Sequence, residues 1–176
     1  MESFHGILPS MNKEPANKKP SDSIVRMEQL VLPNDANMLN NLFGGRLLQW
    51  IDAAGAMAAM KHSRKEVVTV AVDSVDFREP VRVGDMVKLT AKVTWTGRTS
   101  MEIKVTVFCE KPRTGEIIKT NEAFMTLVAL NDDGKPTEVP GLCPETDEEK
   151  TDFERAKERR DYRLNRKSCR ENPVFQ

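Results

Sequence analysis

Gly44-Gly45-Arg46-Leu47-Leu48-Gln49-Trp50-Ile51-Asp52-Ala53-Ala54-Gly55-Ala56-Met57-Ala58-Ala59-Met60 is the run that decides how this chain folds. Between Leu47 and Met60 only Asp52 is charged. On a helix, at about 100° per residue, Leu47, Leu48, Ile51, Ala54, Gly55 and Ala58 share one face. Ala53, Met57, Ala59 and Met60 fill most of the rest, and Gln49, Asp52 and Ala56 leave a narrow polar-permissive strip. The spacing predicts a helix over 44–62 that is buried nearly all round, with small residues that admit close approach to a sheet. A lone carboxylate in such a helix needs a reason, and catalysis supplies one.

The loop that feeds this helix, 34–45, is rich in Asn and closes on two glycines. Its length points to a functional role. Before it, 23–32 alternates as a first strand ended by Pro33. After it the β-branched, alternating stretches 67–77, 86–96, 100–110 and 116–130 read as strands. They are separated by turn residues at Pro80–Asp85, Gly97, Gly115 and Asn131–Gly134. Five strands joined largely by hairpins, with one early apolar helix, predict an α+β domain whose antiparallel sheet wraps that helix. This domain is expected over 23–133. Residues 1–22 read as a disordered polar arm, and 134–176 as a Pro-rich linker and a charged surface helix from about Asp147 to Lys167.

The 176 residues suffice for one well-cored domain. Lys plus Arg and Asp plus Glu number 27 each, so no net field points to nucleic acid or an anionic membrane. No secretory signal or apolar run long enough for a membrane span is evident. Cys109, Cys143 and Cys169 lack metal-ligand or redox spacing and read as reduced thiols of a cytoplasmic protein. Of the two histidines, His5 lies in the arm. His62 falls at the helix C-terminus, where a positive charge is favourable, and carries no expected catalytic role. Trp50 and Trp95 read as core or interface residues. No zinc site can be assembled from such a set.

The ordered set Asp35-Ala36-Asn37, Gly44-Gly45, Asp52, Val72-Asp73-Ser74-Val75-Asp76-Phe77, Pro80-Val81-Arg82-Val83-Gly84-Asp85, Gly97-Arg98-Thr99-Ser100-Met101-Glu102, Glu158-Arg159-Arg160 and Arg163-Leu164 resembles the hotdog-fold acyl-coenzyme A thioesterases, single-hotdog type, over about 24–166. Asn40-Asn41, Phe43 and Ala53 depart from the family's usual residues without removing Asn37 or Asp52. The resemblance implies hydrolysis of fatty acyl-CoA, with no cofactor besides the coenzyme A of substrate and product.

Thioester hydrolysis needs a polarised carbonyl, an attacking oxygen and a grip on the thiol half. The open N–H groups at the helix start, at Gly45 and Arg46, form a ready oxyanion site; the alternative role of Gly44-Gly45 is a tight turn. Asp52 is the candidate base or nucleophile, since a carboxylate in a partly apolar pocket is a stronger base; the alternative is an ordinary helix-rim acid. Asn37 on its own would read as an Asx-turn, but the resemblance assigns it to orient the water or thioester. The resemblance also implies composite sites in a homodimer joined edge to edge, and further assembly into a hexamer, a trimer of dimers. Arg98, Arg159 and Arg160 suit the phosphates of coenzyme A, or are simply solvated charges. The resemblance further implies Val70, Ala71 and Val72 along the pantetheine arm, and Thr99, Ser100 and Met101 at the nucleotide end. The competing readings are a hydratase, disfavoured because 34–61 holds no His, and a non-catalytic acyl-CoA-binding sensor.

Overall fold

The computed structural model describes residues 17–75 and 79–171. Five strands, β1 (Val25–Leu30), β2 (Glu66–Val75), β3 (Met86–Thr96), β4 (Ser100–Lys111) and β5 (Glu116–Leu130), form one antiparallel sheet in the order β1-β3-β4-β5-β2. Helix α1 (Gly44–Ser63) lies on one face and α2 (Asp147–Glu171) on the other. The expected α+β architecture is thus present. Asp76 and Phe77, the end of the expected second strand, lie outside the described residues.

Alternation decides which side chains meet α1. Val87, Leu89, Ala91 and Val93 of β3, Ile103, Val105 and Val107 of β4, and Ala123, Met125, Leu127 and Ala129 of β5 are almost wholly buried. They pack on Leu47, Ile51, Ala54, Ala58 and Ala59. The small residues bring the helix backbone close: a Cβ on Gly55 would collide with the sulfur of Met125.

The expectation of all-round burial fails on one stripe. Leu48 (40% exposed), Gln49, Asp52, Ala53, Met57 and Met60 (42%) lie open along one side of α1. They recur at three- and four-residue intervals, so they share a face. Beside that stripe β2 is a sheet edge, with Val68, Val70 and Val72 exposed.

The other sheet face is polar and belongs to α2. Lys92 and Lys104 sit opposite each other across β3 and β4. Asp152, 6% exposed, lies between their ammonium groups, at 2.9 Å from Lys92 and 3.1 Å from Lys104. Further along, the fully buried Glu102 accepts hydrogen bonds from Thr94 (2.9 Å) and Arg159 (2.7 and 3.2 Å). Arg163 joins Glu102 (3.6 Å) to Asp73 at the end of β2. The densely charged helix is therefore clamped to the sheet chiefly by paired charges, with Phe153 and Ala156 as its apolar contacts.

The arm expected to be disordered over 1–22 is placed from Asn17 onward; 1–16 lie outside the described residues. Lys18 bridges Leu142 in parallel, and Pro20–Ser23 form a 3-10 turn. The Lys18 ammonium donates to the carbonyls of His62 (2.6 Å) and Lys61 (3.3 Å), closing the C-terminus of α1. The favourable positive charge expected of His62 is thus supplied by Lys18. His62 itself is fully buried, with Nε2 2.9 Å from the Pro140 carbonyl. Burial pushes its pKa down, against the smaller upward effect of that hydrogen bond.

Burial alone would raise the Asp152 pKa, but hydrogen bonds from Lys92 and Lys104 outweigh it and hold the carboxyl below its usual range. Its stabilising contribution is therefore complete above about pH 4 and disappears as the pH falls through the lower folded value. Truncation leaves the two facing ammoniums with only their longer partners, Glu148 (3.4 Å) and Glu122 (3.7 Å), so Asp152→Ala is expected to cost about 3 kcal/mol in urea unfolding at pH 7. For His62 the depressed folded pKa means that only the unfolded chain takes up a proton just below about pH 6.5. Stability should fall as the pH drops from there, and His62→Gln should flatten that slope in urea titrations between about pH 7 and 5.

Candidate functional site

The loop before α1 is a miniature hairpin. Ala36 pairs with Leu42, Asn37 N–H donates to the Asn41 carbonyl (2.8 Å), and Phe43 N–H donates to the Asp35 carbonyl (2.8 Å). Asn40 takes the left-handed conformation at φ 58°, which Asn tolerates better than most residues. The Asn37 side-chain oxygen accepts from Leu39 N–H (2.9 Å) and Asn41 N–H (3.2 Å). Asn37 is therefore an Asx-turn organiser, and its amide NH2 has no partner among the described residues. The loop tip leaves Met38 and Leu39 open, at 101% and 78% exposure.

The helix start is uncapped. Phe43 stands at the N-cap and offers no side-chain oxygen. Arg46 N–H already donates to the Phe43 carbonyl at 2.9 Å, and Leu47 N–H reaches the same oxygen at 3.1 Å. Arg46 is thus the weaker of the two expected oxyanion donors. The open pair is Gly44 and Gly45, whose N–H groups meet no acceptor among the described residues. A Cβ on Gly45 would stand 2.5 Å from the Phe43 ring. An open concavity of about 410 Å³ adjoins this turn, lined by Asn34, Asp35, Ala36, Phe43, Gly45, Arg46 and Gln49.

Asp52 lies two turns further along the exposed stripe. Its Oδ1 accepts a hydrogen bond of 2.7 Å from the hydroxyl of Thr69 on β2. Asp52 is exposed rather than seated in an apolar pocket. Within the described residues no hydrogen bond joins it to Asn37. Thr69 escaped the sequence reading, because one Thr in a β-branched strand carries no mark of a functional partner. Only the helix-to-edge packing brings it to Asp52.

The expected coenzyme-binding residues divide. Val70 and Val72 are exposed and Ala71 half-buried on the edge strand, with backbone available for a ligand. Arg98 projects from the β3–β4 turn and forms no ion pair among the described residues; its carbonyl and that of Thr99 accept from Val139 (3.0 Å) and Ala129 (3.0 Å). Ser100 is half-buried, its carbonyl accepting from Gly97 N–H (2.8 Å). Met101 is a correction: it is fully buried and belongs to the core. Arg159 is another, since its guanidinium is committed to Glu102 and stacked 3.8 Å from the Phe124 ring centre. Arg160 lies 5.2 Å over the Trp95 ring and 3.6 Å from Asp161. Both arginines stand on the sheet face opposite Asp52. Among the described residues no cluster of His, Cys, Asp and Glu could hold a metal. No helix there is long and apolar enough to cross a membrane.

Residues 39–116 match the family model described as thioesterase superfamily. The chain is 42% identical over 153 residues, 87% of its length, to an uncharacterized acyl-CoA thioester hydrolase of Bacillus subtilis, covering 89% of that protein. It superposes on the acyl-CoA hydrolase of Staphylococcus aureus solved with butyryl coenzyme A, coenzyme A and coenzyme A disulfide (TM-score 0.82, 36% identity, 88% of this chain and 94% of that one). A hexameric acyl-CoA thioesterase is 44% identical (TM-score 0.83, 86% of this chain and 97% of that one). Three solved variants of the S. aureus hydrolase carry alanine in place of an asparagine, an aspartate fifteen residues later and a threonine seventeen beyond that. Asn37, Asp52 and Thr69 have the same spacing here.

Asn37→Ala removes the acceptor of two loop amides. Hydrogen exchange at Leu39 and Asn41 is expected to accelerate about tenfold or more, with the melting temperature nearly unchanged because the loop lies outside the core.

Proposed function

We infer that this chain, which belongs to the thioesterase superfamily, is an acyl-CoA thioester hydrolase with Asp52 as its general base or nucleophile. The observation that carries the assignment is the hydrogen bond from Thr69 to Asp52, set in the open stripe of α1. Its weight comes from the shared spacing with the three residues varied in the S. aureus hydrolase.

Water adds its oxygen to the thioester carbon and the carbon–sulfur bond breaks, giving a carboxylic acid and a thiol. Asp52 accepts the proton from the attacking water and returns it to the departing sulfur; in the nucleophilic variant its own oxygen attacks and water releases the acyl group. Thr69 fixes the carboxylate rotamer through Oδ1, which leaves Oδ2 for chemistry. Gly44 and Gly45 N–H face the charge that grows on the carbonyl oxygen. The free amide NH2 of Asn37 orients the water or the thioester, its oxygen being occupied within the loop. Coenzyme A is substrate and product, and the exposed backbone of 70–72 suits its pantetheine arm. Arg98 is the cation of the expected set best placed for its phosphates, because Arg159 is spoken for by Glu102 and Arg160 lies over the Trp95 ring on the opposite sheet face.

The proposed unit is a homodimer with two composite sites, in which Asp52 of one chain works with Asn37 of its neighbour. An open apolar edge strand is an invitation to pair, and β2 leaves Val68, Val70 and Val72 exposed, Val72 on the sheet face that carries Leu48, Met57 and Met60 of α1 and Val68 on the other. A second copy joined at β2 covers this surface and brings two Asp52 stripes together. Assembly of such dimers into a hexamer follows the hexameric relatives. The unpaired thiols of Cys109 and Cys143 suit the reducing cytoplasm proposed as its location.

Thiol release from a panel of acyl-CoAs tests this reading. The wild-type chain should turn over, Asp52→Ala should lose about 10³-fold in kcat, and Thr69→Val about tenfold through a loosened carboxylate. Full turnover by Asp52→Ala would remove the mechanism. Binding of acyl-CoA without turnover by the wild type would make the protein a sensor instead.

A further inference from the structure

Asp35 and Arg46 make contacts that the proposed chemistry does not use. Asp35 is 8% exposed, and every oxygen it owns is engaged. Oδ2 accepts from Leu32 N–H (3.0 Å), Oδ1 pairs with Arg46 Nε (2.9 Å), and the carbonyl accepts from Phe43 N–H (2.8 Å). Arg46 also donates to Gln49 Oε1 (2.8 Å). The ion pair thus crosses from one arm of the loop hairpin to the first turn of α1. That arm carries Asn37 two residues after Asp35, and that turn carries the open Gly44 and Gly45 N–H groups.

Helix stability alone does not favour these residues. A helix start gains from a Ser, Thr, Asp or Asn cap and from Glu at the third position. This one has Phe43 at the cap and Arg46 at the third position, a cation at the end of the helix that repels cations. Local rules are broken in this way where function sets the residue. The neighbouring concavity, lined by Asp35, Phe43, Gly45 and Arg46 among others, opens on the same turn.

We propose that the Asp35–Arg46 ion pair is a positioning device, holding the Asn37 arm in register with the Gly44–Gly45 turn while neither side chain touches the substrate. The proposal rests on the reading of Asn37 and the helix start given above. Steady-state hydrolysis of an acyl-CoA by the full chain, in its native assembly, tests it with Asp35→Asn, Arg46→Met, their double variant and Arg46→Lys. Misplacement on the ångström scale costs up to about 10²-fold in rate. Each single variant should therefore lose about 10- to 100-fold in kcat, with KM held within about threefold. The double variant should be no slower than the worse single one, as expected for two residues acting as a unit. Arg46→Lys, which keeps a charged donor, should recover part of the loss.

Unchanged kcat, losses that multiply in the double variant, or a loss confined to KM would overturn the proposal; the last would mean that Arg46 grips the substrate itself. A kcat loss that merely follows a lower melting temperature would overturn it too. If Asp35→Asn does not fold, Arg46→Met against Arg46→Lys decides alone. Asp52→Ala in the same series separates the two levels. An active Asp52→Ala removes the underlying mechanism. An inactive Asp52→Ala beside a fully active Asp35→Asn removes only the role of the ion pair.

Discussion

The close seating of α1 on the sheet is the constraint from which the rest follows. Gly55 and the alanines at 54, 58 and 59 allow the helix backbone to approach the inner faces of β3, β4 and β5. A bulkier helix would stand off, and Asp52 would not reach Thr69 at 2.7 Å on the edge strand. Core packing and the candidate site are therefore one geometric problem: the side of α1 that meets the sheet fixes the height of the side that does not. Interiors packed to crystal density transmit such a constraint with little slack.

The polar face obeys a different logic. Lys92, Lys104, Glu102 and Thr94 project from the sheet toward a helix with little apolar surface of its own. Paired charges removed from water gain little over apolar packing, but they are costly to mismatch. Asp152 lies between the two lysines, and Arg159 against Glu102 and the Phe124 ring. This arrangement fixes how α2 lies across the strands. It also leaves Arg163 to tie α2 to Asp73, one residue beyond the strand segment proposed to meet the coenzyme.

Much of this architecture was legible in the residues. The alternation of 86–96, 100–110 and 116–130 and the apolar run after Gly44-Gly45 placed four elements, because burial imposes period two on strands and 3.6 on helices. The open stripe of α1 was not legible. Apolar residues left open on a helix look the same in a sequence as those facing the core. Thr69 and the Arg159–Glu102 pair were hidden for a related reason: each joins residues far apart in the chain, and neither residue type declares its partner. Met101 sat inside a motif that suggested a surface role, yet the pleat turned it inward. His62 stands at a helix end where a positive charge is favourable, while its burial pushes its pKa down. In each case a local rule yielded to a contact made by folding.

The bridge between Lys18 and Leu142 sets an order of events. The last turn of α1 is closed by an ammonium from the segment before β1, and that segment is held by the strand-like stretch that follows β5. A growing chain emerges from its N-terminus, so Lys18 waits through the synthesis of the helix and all five strands before its anchor exists. Contacts so distant in sequence form late, since loop closure must come before their energy is gained. The Arg64 cap and the Lys61 contact to the Ile24 carbonyl need nothing beyond β2, whereas the Lys18 clasp gains its anchor only once the stretch after β5 is made. The clasp at Lys18 therefore draws on both sides of the sheet in the chain, on the segment before β1 and on the one after β5.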